Sequence, residues 1–175
     1  MSQAKKIAYN SIVQIIGKGI NVLLGVLAVS CLTRYLEPAG FGMYTTVLTF
    51  LQIVFIFLDF GLYIILLQEL SKEDIDKNSA FNNIVSLRIV SGLSVFIIAP
   101  VLGLFFPYPA IVKWGIFLTS LTFYLNGIVQ VYSAVLQKEM KMHKFVLSET
   151  ISKIIFLGLI IFFVKIKAGL IPILL

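Results

Sequence analysis

The sequence is short of charge and of reactive side chains. Of 175 residues, 13% are charged and 59% hydrophobic, with a mean hydropathy of +1.03. A soluble domain has about a quarter of its residues charged. Too few charges are present to cover a water-facing surface, so lipid is the solvent for most of the chain. Cysteine and histidine occur once each, as Cys31 and His143. A disulfide within the chain and a Cys/His zinc site are therefore excluded; nothing resembles a Ser/His/Asp or Cys/His nucleophile, His143 lying in a Lys-rich loop, and the chain reads as a non-enzyme without cofactor or metal. The net charge of +6 does not signal nucleic acid, because the cations fall mostly between apolar runs, as membrane topology requires. The segment Ala28–Cys31 loosely resembles a lipoprotein cleavage site, but Lys18 interrupts the preceding apolar run and further runs follow, so a first membrane helix is expected.

What is abundant is the long apolar run. Spans are expected at about Ile7–Leu32, Met43–Leu67, Ala80–Phe106, Ile111–Gln137 and Phe145–Val164. A sixth begins near Gly169 and reaches only Leu175. The fold class is thus an all-α, polytopic membrane bundle of about five transmembrane helices plus the start of a sixth, and the whole of 1–175 reads as one bundle truncated at its C-terminus. Pro38, Gly40 and Gly42 predict a turn over Arg34–Gly42, Pro100 a kink, and Phe106–Pro109 a tight turn. Ser71–Lys77 is the most polar loop. Small residues at Ala99 and Gly103 are expected to pack helices within the bundle.

Counting Lys and Arg, one side holds seven (Lys5, Lys6, Lys72, Lys77, Lys138, Lys141, Lys144) and the other four (Arg34, Lys113, Lys165, Lys167). The excess predicts a cytoplasmic N-terminus in the cell membrane.

Five charges interrupt the apolar spans: Lys18, Asp59, Arg88, Glu149 and Lys153. Each costs several kcal/mol against lipid, so each is expected to face a bundle interior or a wet cavity. Lys18, Asp59, Arg88 and Lys153 fall about 12–16 Å from the cytoplasmic face, in one layer. Polar stripes at helical spacing accompany them: Gln14, Lys18, Asn21 and Gly25 on the first span; Gln52, Asp59 and Tyr63 on the second; Thr119, Thr122, Asn126, Gln130, Ser133 and Gln137 on the fourth. The plainer alternative has Asp59 neutralising Lys18 or Arg88, Glu149 pairing with Lys153 at i, i+4, Arg88 and Lys153 snorkelling, and the stripes acting as packing glue. The excess of cations tilts a cavity toward an anionic substrate.

The stretch Thr33–Tyr44 (TRYLEPAGFGMY) and the later Leu58–Leu62 (LDFGL) resemble the N-terminal region of the lipid-linked oligosaccharide flippases, the Wzx-type polysaccharide-synthesis membrane proteins related to the MATE exporters. The likeness extends through Arg88 and the Lys138–Lys144 loop. Glu37 departs from it, standing where relatives often have glycine, and Gln68 and Glu69 stand where relatives often carry arginine. The resemblance implies a two-bundle transporter of which this chain supplies the first bundle. It implies movement of an undecaprenyl-diphosphate-linked oligosaccharide between leaflets by alternating access. By that analogy Lys18 and Arg88 would meet the diphosphate, and Lys153 would be a further substrate-binding residue. Gln14, Asn21, Asn126 and Gln130 would bind sugar hydroxyls. Asp59 or Glu149 would bind a coupling proton or sodium ion. The partners implied are lipid-linked glycan, membrane lipid, H+ or Na+ and the C-terminal bundle. A MATE-like exporter, an inactive fragment, and a prenyl-diphosphate transferase relying on Glu73, Asp74 and Asp76 are the competing readings; the last lacks a second acidic cluster for magnesium.

Overall fold

In a computed structural model, residues 3–59, 65, 68, 77–139 and 141–174 are described, with the side chains of 3–8, 58, 59, 77–82, 84 and 138 excepted. Those residues form helices α1 (Gln3–Asp59), α2 (Lys77–Phe105), α3 (Ala110–Lys138), α4 (Met142–Lys165) and the short α5 (Leu170–Leu174). Four of them, α1 counted whole, are long and apolar enough to cross a membrane. The loop Ser71–Lys77, apart from the backbone of Lys77, and the end of the second expected span lie outside the described residues.

At 57 residues α1 would be about 85 Å long if straight, nearly three times the hydrocarbon thickness. It is broken at Glu37, where φ is 57° and ψ 172°. Pro38 favours the break: its ring disfavours the helical conformation for the residue before it, while itself fitting the first turn of a new helix. The break is narrower than the turn expected from sequence, since Gly40 and Gly42 stay helical. It is nevertheless a reversal. Tyr44 packs on the cluster of Ala28, Leu32, Ile160 and Ile173, although about 18 Å would separate positions 32 and 44 along an unbroken helix. The two arms, 3–36 and 38–59, therefore run antiparallel. Glu37 occupies backbone space that suits glycine almost alone. Glu37→Gly is accordingly expected to stabilise the protein by about 1 kcal/mol, seen as a raised melting temperature in detergent; an unchanged or lowered value would mean the break is unstrained.

Each arm has its own partners. The first runs parallel to α4, with Gly17 against Val146, Asn21 against Lys153, and Ala28 and Leu32 beside Ile160. The second packs on the antiparallel α2–α3 hairpin through Val47, Leu51, Val54, Val95, Ala99, Val112 and Ile116. The hairpin turns at Phe106–Pro109 as expected, and α2 continues past Pro100 to Phe105. The apolar segment after Gly169 is α5, which wedges between both halves: Leu170 and Leu174 join one core and Ile173 the other. Tyr35 donates to the Ala168 carbonyl at 2.5 Å and Thr119 to that of Leu174 at 3.4 Å, fixing the wedge at each side.

The outer faces are apolar. Ile15, Leu23, Phe57, Val90, Phe105 and Leu147 are among many large hydrophobic side chains left exposed. This inverts the soluble pattern and matches helices surrounded by lipid, where backbone groups must be satisfied within each helix. Apolar contact gains little over lipid in such a setting, so close packing has to hold the helices together. Small residues supply it. Ala99 and Gly103 are buried inside the bundle, Gly103 against Ile116 and Phe50, and a side-chain carbon added at Gly92 would lie 2.7 Å from the Tyr124 ring.

Candidate site: two buried polar contacts at one depth

Arg88 projects from a buried stripe of α2, Arg88–Gly92–Val95–Ala99–Gly103, whose spacing keeps one face toward α3. It is only 3% exposed. Its Nε donates to the Gly127 carbonyl at 3.2 Å and its Nη2 donates to Gln130 Oε1, both on α3. The guanidinium carbon lies 5.8 Å from the centre of the Phe55 ring, on the second arm of α1. Gly127 permits this course, because Arg88 Cδ and Nε pass 3.8 Å from the place a side-chain carbon would occupy there. One arginine thus joins three helices. The planar, multidonor guanidinium suits that task better than a lysine would.

Lys153 makes the second contact. Half-buried on α4, its Nζ donates to the Asn21 carbonyl on the first arm of α1 at 3.2 Å. The side chain borders a cavity of about 150 Å³ with Gly25, Ala28, Tyr44 and Phe156. Asn21 is 3% exposed and its Oδ1 has no partner among the described residues. The i, i+4 pairing of Glu149 with Lys153 is not formed. Among the described residues the ion pair is Lys141–Glu139, at 2.8 Å and in the exposed turn before α4. Lys153 reaches instead across the helix interface to the Asn21 carbonyl.

The other expected residues are placed less uniformly. Lys18 is exposed and has no partner among the described residues; Gln14 is half-buried one turn before it. Asn126 is exposed, beside Gly127 but outside the Arg88 contact. Thr119 and Ser133 are buried while Gln137 is exposed, so the stripe on α3 is divided between packing and surface. Gln52 is exposed. The backbone of Asp59 ends α1, but its side chain, and Tyr63 altogether, lie outside the described residues. His143, exposed at the start of α4, has its ring 6.4 Å from that of Tyr9.

The expected layer follows from the reversal at Glu37. Phe55 follows Glu37 by as many residues as Gly19 precedes it. Antiparallel arms thus bring Lys18 and Asn21 to within about one helical turn of the depth of Phe55, Arg88 and Gln130. Depth is shared, but the contacts are separate: Arg88 with Gln130 on one side, Lys153 with Asn21 on the other.

A family profile described as polysaccharide biosynthesis protein matches residues 31–175. The chain belongs to this family. No curated protein and no solved structure matches it. The polysaccharide biosynthesis match takes in the whole Arg88 contact and Lys153, whereas Gln14, Lys18 and Asn21 precede it. Membership, the apolar helices and the lipid-compatible surface together make this a membrane protein of polysaccharide biosynthesis. What the sequence reading overlooked are Phe55, Gly17 and Gly127, which make the polar contacts geometrically possible.

Proposed function

We propose that this chain is the first bundle of a flippase that carries an undecaprenyl-diphosphate-linked oligosaccharide from the cytoplasmic to the outer leaflet. In this reading both arms of α1 cross the membrane, giving five crossings with α5 opening a sixth, and the N-terminus is cytoplasmic. The supporting observation is Lys18, an exposed cation at the depth of the Arg88 layer, with no partner among the described residues. Facing lipid it would cost several kcal/mol; facing a wet chamber shared with a second bundle it would be at hand for a phosphate. Arg88 and Lys153 hold the helices around that chamber. Gln14, Asn21, Asn126 and Gln130 provide hydrogen-bonding groups for sugar, and Asp59 and Glu149 are the acids available to a coupling ion. Transport requires no covalent chemistry from the chain. A cavity for organic cations would instead be acidic.

The test is Lys18→Ala in the intact gene product, with the leaflet distribution of the lipid-linked repeat as the readout. Translocation is expected to fall at least tenfold at unchanged protein level, about 1.4 kcal/mol or more in the barrier, with partial recovery in Lys18→Arg. Wild-type translocation by the alanine variant would overturn the role.

A further inference from the structure

We propose that a groove between the second arm of α1 and the α2–α3 turn is a subsite for the sugar rings of the glycan; this rests on the flippase reading and extends it. The groove has a volume of about 430 Å³ and is bordered by Thr45, Thr46, Thr49, Phe50, Phe106 and Tyr108. Its two walls differ in chemistry. On one, the Phe106 and Tyr108 rings stack at 5.4 Å and 9°, and Phe50 meets both edge-on, at 5.6 and 6.1 Å. Phe106 remains 45% exposed, so this fixed aromatic cluster presents surface to the groove.

On the other wall stand hydroxyls. Thr45 Oγ1 donates to the Phe41 and Gly42 carbonyls, each at 3.0 Å, and Thr46 Oγ1 to the Gly42 carbonyl at 2.7 Å. Their protons are committed to the helix, and their lone pairs remain to accept from a ligand. Thr49 is exposed and has no hydrogen-bond partner among the described residues, so it can both donate and accept. The residues bordering the groove include no charge, which argues against phosphate or a metal ion as its occupant. An acyl chain would use the aromatic wall and leave the hydroxyls idle. A sugar ring has an apolar C–H face and a hydroxyl edge, and fits both.

Position agrees with this. Thr45, Thr49 and Gln52 lie at helical spacing along one face of the second arm, leading from the groove toward Phe55 and the Arg88 layer. The groove also borders Ile53 and Val54, next to Phe55, and its threonines lie about 9–15 Å from that layer along the arm. A glycan whose diphosphate rests at the layer would extend its first rings toward it.

The experiment uses the intact gene product in detergent and two probes, undecaprenyl diphosphate bearing the glycan repeat and the same lipid without sugar. Wild type is expected to bind the glycosylated lipid about tenfold more tightly. Thr49→Val and Phe106→Leu, conservative changes at exposed positions, are expected to remove that increment and leave the affinity for bare lipid unchanged; Thr49→Ser is expected to restore it. Lys18→Ala is expected to weaken both lipids alike. An increment that survives both groove variants, or wild-type protein that binds the two lipids equally, overturns the subsite alone. Wild-type protein that binds neither lipid overturns the flippase reading and the subsite with it.

Discussion

Arg88→Ala is expected to lower the stability of the bundle by roughly 2–5 kcal/mol, from the two interhelical hydrogen bonds among the described residues at about 0.6–1.7 kcal/mol each and one cation–π contact of about 0.5–2. The change would unfasten three helices at once, because Arg88 touches Gly127 and Gln130 on α3 and Phe55 on α1. It would also leave the Gln130 amide oxygen without its donor in an apolar surrounding, where an unmade bond is costly. Arg88→Lys keeps the charge, but one ammonium replaces a fork that serves two acceptors, so less than half the loss is expected to be recovered. Arg88→Leu with Gln130→Leu removes donor and acceptor together and is expected to restore most of the stability, since replacing both partners by apolar groups can be near neutral. Melting temperature in detergent and protein level in the membrane are the measurements. An alanine variant as stable as wild type would show that Arg88 is not the fastening and would leave its guanidinium available for a ligand.

Gly17→Ala is expected to have the second largest effect, about 1–3 kcal/mol of destabilisation by overpacking. The added carbon would stand 2.0 Å from Cγ1 of Val146, well inside contact distance. Valine has few rotamers within a helix, so relief has to come from separation of α4 from the first arm of α1. The Lys153–Asn21 hydrogen bond lies one turn further along the same interface and would lengthen with it. Val146→Ala removes the clashing methyl and leaves the added carbon 3.3 Å from the remaining Cβ, so the double variant is expected to regain most of the stability. If Gly17→Ala melts like wild type, the two helices are not in the close contact described.

These two residues differ in how legible they are. Arg88 announces itself in the sequence, because a charge inside an apolar run must be accommodated. Its partners do not. Gln130 could be placed on a polar stripe of α3 but not opposite Arg88, and Phe55 carries no polar mark at all. Gly17 is one of the 12 glycines in the chain, and nothing in the sequence sets it apart from Gly19 or Gly25, which have nothing within 4 Å of an added carbon. Which glycine is a contact depends on what the opposite helix presents. The pairing of Glu149 with Lys153 failed for the same reason. The i, i+4 spacing permitted it, but the Asn21 carbonyl across the interface competes for the same ammonium.

By itself, the sequence determined the apolar character, the helical class, a turn at Pro38 and which charges interrupt the helices. Each of these follows from hydropathy, residue geometry and a rise per residue, all of them local properties of the chain. Tertiary structure decided that α1 folds back on itself, that Arg88 and Lys153 serve separate contacts at one depth, and that three threonines face an aromatic cluster across a groove. Those are relations between helices distant in the chain. In lipid they are set by which surfaces approach closely enough to pack, and hydropathy alone carries no record of that.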